Sequence, residues 1–432
     1  MCAFYQGLVK VMIRARRRNK GLSTLANMTT HAIISGAGIA GPALAQQLSA
    51  RGWRATVIER FPERRSTGQN VDIRGSARDV LRRMGIDEAV RAANTTEIGT
   101  RFVREDRSVA AAFPAAKPGQ TDGPTAELEI LRGELSRILI ERSGEHADYR
   151  YGTTLTGVVD RGDRVTVTLS DGSSLDGEVL VIAEGLRSRS RRFVSTATVS
   201  DFSMHFAYAT LPRRDGDDRW WSWQSATKSR GVHLRPDNVG TTRAILTFFS
   251  DVRGFEDLDR AAQVTILRRT FADVGGAAPR VLDDLEAGAP LYFSAVGQIN
   301  CPTWRKGRIA LLGDAAFCNA TFGGAGTSLA LIGAYILAGE LTTADDTLAA
   351  LENYERLMQP FIAAAPLVRE RMLRLANPST KNGIRVLHAV LRLGASPVGR
   401  MAMRVANRGF VSPDDGQLPT YPAVTLSTEI ED

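Results

Sequence analysis

Cysteine and histidine are both scarce. Only Cys2, Cys301 and Cys318 occur in 432 residues, with no paired spacing. That excludes a disulfide framework and points to a reducing, cytoplasmic setting. The five histidines are scattered, and no H-x-x-x-H or C-x-x-C pattern joins them to the cysteines, which excludes a metal centre. No stretch is long and apolar enough to span a bilayer, so no membrane span is expected. Internal repeats and low-complexity segments are also missing. An excess of positive charge is present only on paper. The formal charge is +8, but Lys10, Arg14, Arg16, Arg17, Arg18 and Lys20 all fall within residues 1–27, which hold no acid. The remainder carries 49 basic against 47 acidic residues. A body so close to neutral does not read as a nucleic-acid binder. No apolar run follows the arginines, so a secretory signal is not expected. Residues 1–28 read as a disordered arm or a mis-assigned start, with Met28 as the natural first residue.

What is present is concentrated in residues 31–60. Residues 31–35 form a short apolar run that reads as a buried strand, and Gly36, Gly38 and Gly41 follow at G-x-G-x-x-G spacing. Residues 42–50 have helical composition, and a second strand over 55–58 ends at Glu59. This is the pattern of a dinucleotide-binding βαβ unit. Gly36 allows the tight turn, Gly38 lets backbone approach a pyrophosphate, and Gly41 lets helix pack on strand. The helix start offers free N–H groups to phosphate. An acid at the second strand tip suits an unphosphorylated ribose, hence FAD or NAD and not NADP.

Further along, the spacing of Val80, Leu81, Met84, Ile86, Ala89 and Val90 predicts an amphipathic helix over 76–92. Residues 101–113 alternate weakly and read as a strand of a second domain, and the proline- and glycine-rich 114–124 as a loop. A short strand and a helix are expected within 128–142. A hairpin is expected from 165–169 through Asp171-Gly172 to the apolar strand 179–183, which ends in Glu184-Gly185. Residues 203–250 read as an aromatic-rich meander, with strands near 204–211, 220–224, 231–235 and 242–249. Residues 256–290 read as mostly helical. A buried strand from Arg308 ends in Gly313-Asp314, and a glycine loop then opens an apolar helix over 327–341. Helices are expected over 346–376 and 383–407, broken near Pro378 and Pro397, and a frayed tail from Ser412.

Three motifs, G-A-G-I-A-G with Glu59, A-E-G-L-R-S-R-S-R-R at 183–192, and R-I-A-L-L-G-D-A-A with G-G-A-G at 308–326, agree in order and spacing. Together they resemble the FAD-dependent class A flavoprotein monooxygenases of the para-hydroxybenzoate hydroxylase type. Among these the chain is most similar to the single-component kind that includes the tetracycline-inactivating monooxygenases. The resemblance covers about residues 29–345. It implies an α/β fold: a Rossmann-like FAD-binding domain of glutathione-reductase type, an inserted antiparallel-sheet substrate domain, and C-terminal helices. The expected division gives 29–100, 117–200 and 290–345 to the FAD domain and 101–116 and 201–289 to the substrate domain. Residues 346–432 form the C-terminal helices and tail.

The resemblance also implies site residues. FAD would meet Gly36, Gly38, Ile39, Ala40, Gly41, Glu59, Arg60, Asp72, Arg132, Glu184, Gly313, Asp314, Gly324, Ala325, Gly326 and Thr327, with Arg65 toward the nicotinamide cofactor. Asp314 would accept hydrogen bonds from ribityl hydroxyls. Gly323, Gly324 and Gly326 would let backbone N–H groups reach the flavin. Two positions depart from the family pattern: Glu184 stands where Asp is usual, and Phe317 and Phe322 replace the usual His or Tyr and the proline. Ring-containing substrate would lie against Phe206, Tyr208, Trp221, Trp223, His233, Phe248, Phe317 and Phe322, with Phe249 and His205 as further candidates. The implied reaction uses NADPH or NADH and O2 to hydroxylate an electron-rich aromatic or polyketide-like molecule through a C4a-hydroperoxyflavin, in antibiotic inactivation or secondary metabolism. The hard chemistry is the cofactor's, so no catalytic side chain is singled out. A monomer or weak dimer is expected. The alternatives are another FAD-dependent oxidoreductase on the same scaffold, or a flavoprotein that sequesters its ligand without turnover.

Overall fold

The structure, a computed structural model, describes residues 30–65, 68–115, 126, 128–319, 324–365, 368–399 and 416–422. The basic leader, Phe322 and Gly323 lie outside the described residues. The chain opens with β1 (His31–Ser35), α1 (Ala40–Ser49), β2 (Arg54–Ile58) and β3 (Asn70–Asp72), then α2 (Ser76–Arg83), α3 (Asp87–Ala92), β4 (Gly99–Val103) and β5 (Val109–Pro114). Next come β6 (Glu129–Leu131), α4 (Arg132–Glu141), β7 (Ala147–Arg150), β8 (Leu155–Asp160), β9 (Val165–Leu169), β10 (Ser174–Gly177) and β11 (Val179–Ile182). The middle of the chain holds β12 (Thr198–Pro212), β13 (Trp221–Ala226), β14 (Arg230–Pro236), β15 (Thr241–Phe249), α5 (Arg260–Phe271), α6 (Ala278–Glu286) and β16 (Leu291–Asn300). It ends with β17 (Arg305–Lys306), β18 (Ile309–Leu311), α7 (Asp314–Phe317), α8 (Gly326–Thr343), α9 (Thr347–Ala364), α10 (Glu370–Ala376) and α11 (Lys381–Ala395).

Two large sheets organise these elements. The first has the order β17-β18-β11-β1-β2-β7, parallel except for the short edge strand β17. Its strands are runs of Ile, Val, Leu and Ala buried almost throughout, as a parallel sheet covered on both faces requires. Helix α8 is apolar all round and almost wholly buried, packed against α1 and α9; a helix without a polar face belongs inside a core. The second sheet, β16-β12-β15-β14-β13-β4-β5, is antiparallel apart from the β13–β4 pair. Helices α5 and α6 cover one of its faces. This is the expected α/β architecture, with an antiparallel sheet beside a Rossmann-like core and helices at the C-terminal end.

Several local expectations change. The single helix over 76–92 is two helices, because Gly85 takes a left-handed turn at φ 68° between them. The stretch 101–113 is a hairpin of two strands on the second sheet, not one strand. The turn at Asp171-Gly172 returns β9 to β10, not to the apolar strand that follows. That strand, β11, pairs with β1 and β18 in the parallel sheet. Residues 291–300 were expected in the FAD domain, but β16 pairs along β12 in the second sheet. The tail is not frayed throughout. Residues 416–422 are placed on α8, where the Tyr421 hydroxyl donates to Glu340 at 2.7 Å and its ring meets Tyr335. Helix α11 ends at Ala395, and residues 400–415 lie outside the described residues.

Candidate active site

Four neighbouring parallel strands, in the order β18-β11-β1-β2, end side by side, and each is followed by a residue singled out from the sequence. Asp314, Glu184, Gly36 and Glu59 thus stand along one sheet edge. Ligands of open α/β sheets bind in the crevice outside the carboxyl ends of the strands. A cavity of about 940 Å3 opens there. It is lined by Gly36, Gly38, Ile39, Ala40, Glu59, Arg60, Arg65, Asp72, Arg132, Glu184, Asp314, Gly324, Ala325, Gly326 and Thr327.

The glycine turn fits a pyrophosphate. Gly36 has φ +113°, and a Cβ there would stand 2.5 Å from the Ala183 carbonyl oxygen. A Cβ on Gly41 would stand 1.9 Å from the Gly36 carbonyl oxygen, so this glycine serves the packing of helix on turn and does not line the cavity. Gly313 likewise lies behind the wall, against Ala40. Helix α1 has no side-chain cap and no acid in its first turn, which leaves its N–H groups for an anion. The Arg132 guanidinium faces Gly38: a Cβ on that glycine would come within 3.2 Å of it. Glu59 is held by two backbone donors, Ala37 N–H at 2.8 Å and Phe61 N–H at 3.0 Å. A carboxylate fixed in this way keeps lone pairs for ribose hydroxyls. The guanidiniums of Arg60 and Arg65 both stack on Phe61, and burial, with Arg132 nearby, lowers the pKa of Arg65.

The longer acid at 184 has an internal use. Glu184 accepts from Ser35 Oγ at 2.6 Å, Ser188 Oγ at 2.8 Å, Ser190 Oγ at 2.6 Å and Ser190 N–H at 3.1 Å. These four hydrogen bonds join the arginine-rich loop to the end of β1 at the cavity wall. Asp314 is open to the cavity floor but enclosed by protein, and burial raises its carboxyl pKa. Gly326 begins α8 beside it, and that helix start also lacks a side-chain cap. Asp72 pairs with Arg74 at 2.7 Å at the cavity edge. Phe317 does not line the cavity: its ring packs on Trp304 in the core, 5.3 Å between centroids.

The opposite wall is one face of the second sheet, and strand register decides its membership. Phe206 pairs with Thr247, Tyr208 with Ile245, Ile245 with His233, His233 with Trp223, and Trp223 with Phe102. Partners in register share a face, and all of these line the cavity, as does Trp221. Phe248 falls on the other face. It pairs with His205 and packs with Phe255, Phe271 and Phe293 beneath α5 and α6. His205 is fixed there too, with Nε2 3.2 Å from the Ser250 carbonyl. Phe249 lies under Arg374. Phe102, Ile245 and Thr247 were missed because only the pairing, not the composition, aligns them.

Arg235 was also missed. It stacks on Trp221 at 4.1 Å and is buried between two carboxylates, Glu97 at 3.0 Å and Glu129. Glu129 further accepts from Asn70 at 2.7 Å and Thr95 at 2.6 Å. Two buried acids share one guanidinium. Burial, which outweighs the attraction of Arg235, pushes Glu129 up to about 8, with Glu97 adding to the rise. His233 is driven the other way, to about 3, by burial and then by Arg235. Its imidazole is therefore neutral at neutral pH. Among the described residues, both His233 ring nitrogens, Trp221 Nε1 and Thr247 Oγ1 have no hydrogen-bond partner. Buried polar groups in a cavity wall normally bond something, and these four atoms are open to a ligand.

Known proteins share this architecture. The family described as an FAD binding domain matches residues 29–365. The flavin-dependent monooxygenase eupH of Phoma sp is 33% identical over 407 residues, covering 84% of this chain and 91% of that one. The FAD-dependent monooxygenase asL4 of Sarocladium schorii is 30% identical, covering 90% and 97%. Among solved structures, tetracycline destructase Tet(51) matches with a TM-score of 0.72 and 26% identity, covering 91% of this chain and 100% of that chain.

Proposed function

Because the chain belongs to the FAD binding domain family, together with flavin-dependent monooxygenases, we propose that it uses NADPH or NADH and O2 to hydroxylate an electron-rich, ring-containing small molecule, aromatic or polyketide-like. One observation carries this reading. A single cavity has the nucleotide-binding strand ends on one side and, facing them, an aromatic wall with unpaired neutral polar groups. FAD held there supplies hydride acceptance from the nicotinamide cofactor and activation of O2 for transfer of one oxygen atom.

The chain's own residues have defined tasks. The start of α1 and Arg132 hold the pyrophosphate, Glu59 and Asp314 accept from cofactor hydroxyls, and the start of α8 supports negative charge on the ring system. Arg60 and Arg65, stacked on Phe61 at the cavity edge, offer a docking place for the phosphates of the nicotinamide cofactor. Trp221, Trp223, Phe206 and Phe102 present ring faces on which a planar substrate stacks, and they exclude water. His233 and Thr247 exchange hydrogen bonds with a substrate hydroxyl or carbonyl while remaining uncharged. Geometry, and not a charged side chain, thus selects the carbon that faces the cofactor.

The test is NADPH and NADH consumption by flavin-loaded protein in air across phenols, polyketides and tetracyclines, with product masses recorded. The likeness to Tet(51) puts tetracyclines in that panel. A ligand that stimulates consumption and gains one oxygen supports the reading. Tight ligand binding without stimulated consumption favours a sequestering flavoprotein.

A further inference from the structure

Helix α11 packs one side on the second sheet and leaves an apolar stripe exposed. Its inner side, with His388 buried, packs against β5 and β13. Its outer side presents Val386, Val390 and Leu393, at i, i+4 and i+7, with 63%, 61% and 68% of their surface exposed. Residues at that spacing form one stripe along a helix. Leu375 and Met372 of α10 are also exposed, 74% and 54%. Isolated exposed apolar residues are ordinary, but a continuous stripe is not.

The charged side chains on this helix are of one sign. Between Glu370 and Asp414 the sequence holds no Asp or Glu, but it holds Arg371, Arg374, Lys381, Arg385, Arg392, Arg400, Arg404 and Arg408. Lys381, Arg385 and Arg392, on the same helix, are exposed. Without the leader and these eight cations the chain holds 41 basic against 47 acidic residues, so this is a local concentration. Two copies meeting through the stripe would bring like charges together, which disfavours a symmetric dimer here. An apolar stripe with a basic flank is the surface that lies in the plane of an anionic bilayer, apolar side chains in the acyl boundary and cations at the headgroups. Among the described residues no helix is long and apolar enough to cross a membrane, so the contact is peripheral.

We infer that the outer face of α11 docks this protein on the surface of an anionic lipid bilayer. The inference is independent of the reaction assigned above. Its consequence is that apolar ring substrates, which partition into lipid, are met where they concentrate.

The experiment is flotation of the full-length, flavin-loaded protein with vesicles of phosphatidylcholine alone and of phosphatidylcholine with phosphatidylglycerol. A second protein carries Val386→Asp, Val390→Asp and Leu393→Asp together. These exposed positions lie outside the cavity wall, so its flavin content and circular dichroism are expected to match the parent. Flotation is expected only with the anionic vesicles, weakened by salt, and reduced roughly tenfold or more in the triple variant. Absence of flotation with anionic vesicles overturns the inference. So does undiminished flotation of the triple variant, which retains residues 1–29 and would then be binding through them. Sedimentation velocity showing a parent dimer that the triple variant abolishes, without lipid binding, assigns the face to a second copy and also overturns it.

Discussion

At the residue scale, the site depends on a few groups with no substitute. Gly36 cannot carry a Cβ without meeting Ala183, and Asp314 on the cavity lining is the acceptor proposed for the cofactor hydroxyls. A charge-assisted hydrogen bond contributes about 1.5–3 kcal/mol, so losing one weakens binding roughly tenfold or more. Gly36→Val combined with Asp314→Ala should give colourless protein. Retention of stoichiometric flavin, read from the visible spectrum, would show the cofactor site to be elsewhere. The Glu97–Arg235–Glu129 cluster makes a separate prediction about pH. Glu129 has a folded-state pKa raised from 4.5 to about 8, so its protonated form is favoured in the native state. Its contribution to stability is complete below pH 4.5 and is lost as pH rises through about 8. Glu129→Gln should flatten the fall in stability over that window, measured by denaturant midpoints at several pH values. An unchanged slope would mean that Glu129 ionises as freely as an exposed glutamate.

At the scale of the element, the second sheet separates two kinds of aromatic residue by alternation. Trp221 faces the cavity, and Phe248 faces α5 and α6. Phe248→Ala should cost about 3–5 kcal/mol of stability with little change in KM for a turned-over substrate. Trp221→Leu should leave stability nearly intact and raise KM, since removing a ring face from a pocket loses roughly 1–3 kcal/mol. Thermal unfolding and steady-state kinetics on both variants distinguish them. If Phe248→Ala raises KM and Trp221→Leu only destabilises, the two faces have been assigned the wrong way round. Glu184 belongs at this scale as well. Its four bonds join the loop after β11 to the end of β1.

At the scale of the whole molecule, what could be read in advance followed from how local the signal was. The turn at Gly36, the acid at Glu59 and the Gly313-Asp314 strand end announce themselves within a few residues, because tight turns and strand tips impose residue types locally. The four meander strands were legible for the same reason. Two-fold alternation does not reveal which face is wet, so Phe248 was placed with Trp221, and only the pairing of His205 with Phe248 separates them. The apolar strand Val179–Ile182 was joined to its sequence neighbour because its partners, β1 and β18, are distant in the chain. Arg235 gave no local signal, since its two acids come from positions 97 and 129. Phe317 looked like a pocket residue from its place after Gly313-Asp314, but α7 turns it onto Trp304. The motifs therefore located the strand-end wall of the cavity, and long-range pairing decided the aromatic wall.

The proposed hydroxylation places one atom of O2 on a ring held between these two walls. The most direct measurement is turnover of the best ligand from the panel under isotopically heavy O2, with NADPH or NADH as reductant and the product read by mass spectrometry. Coupled turnover should leave one heavy oxygen atom in the product for each nicotinamide consumed. A product that takes its oxygen from water, or an unaltered ligand with all consumption released as peroxide, would contradict it.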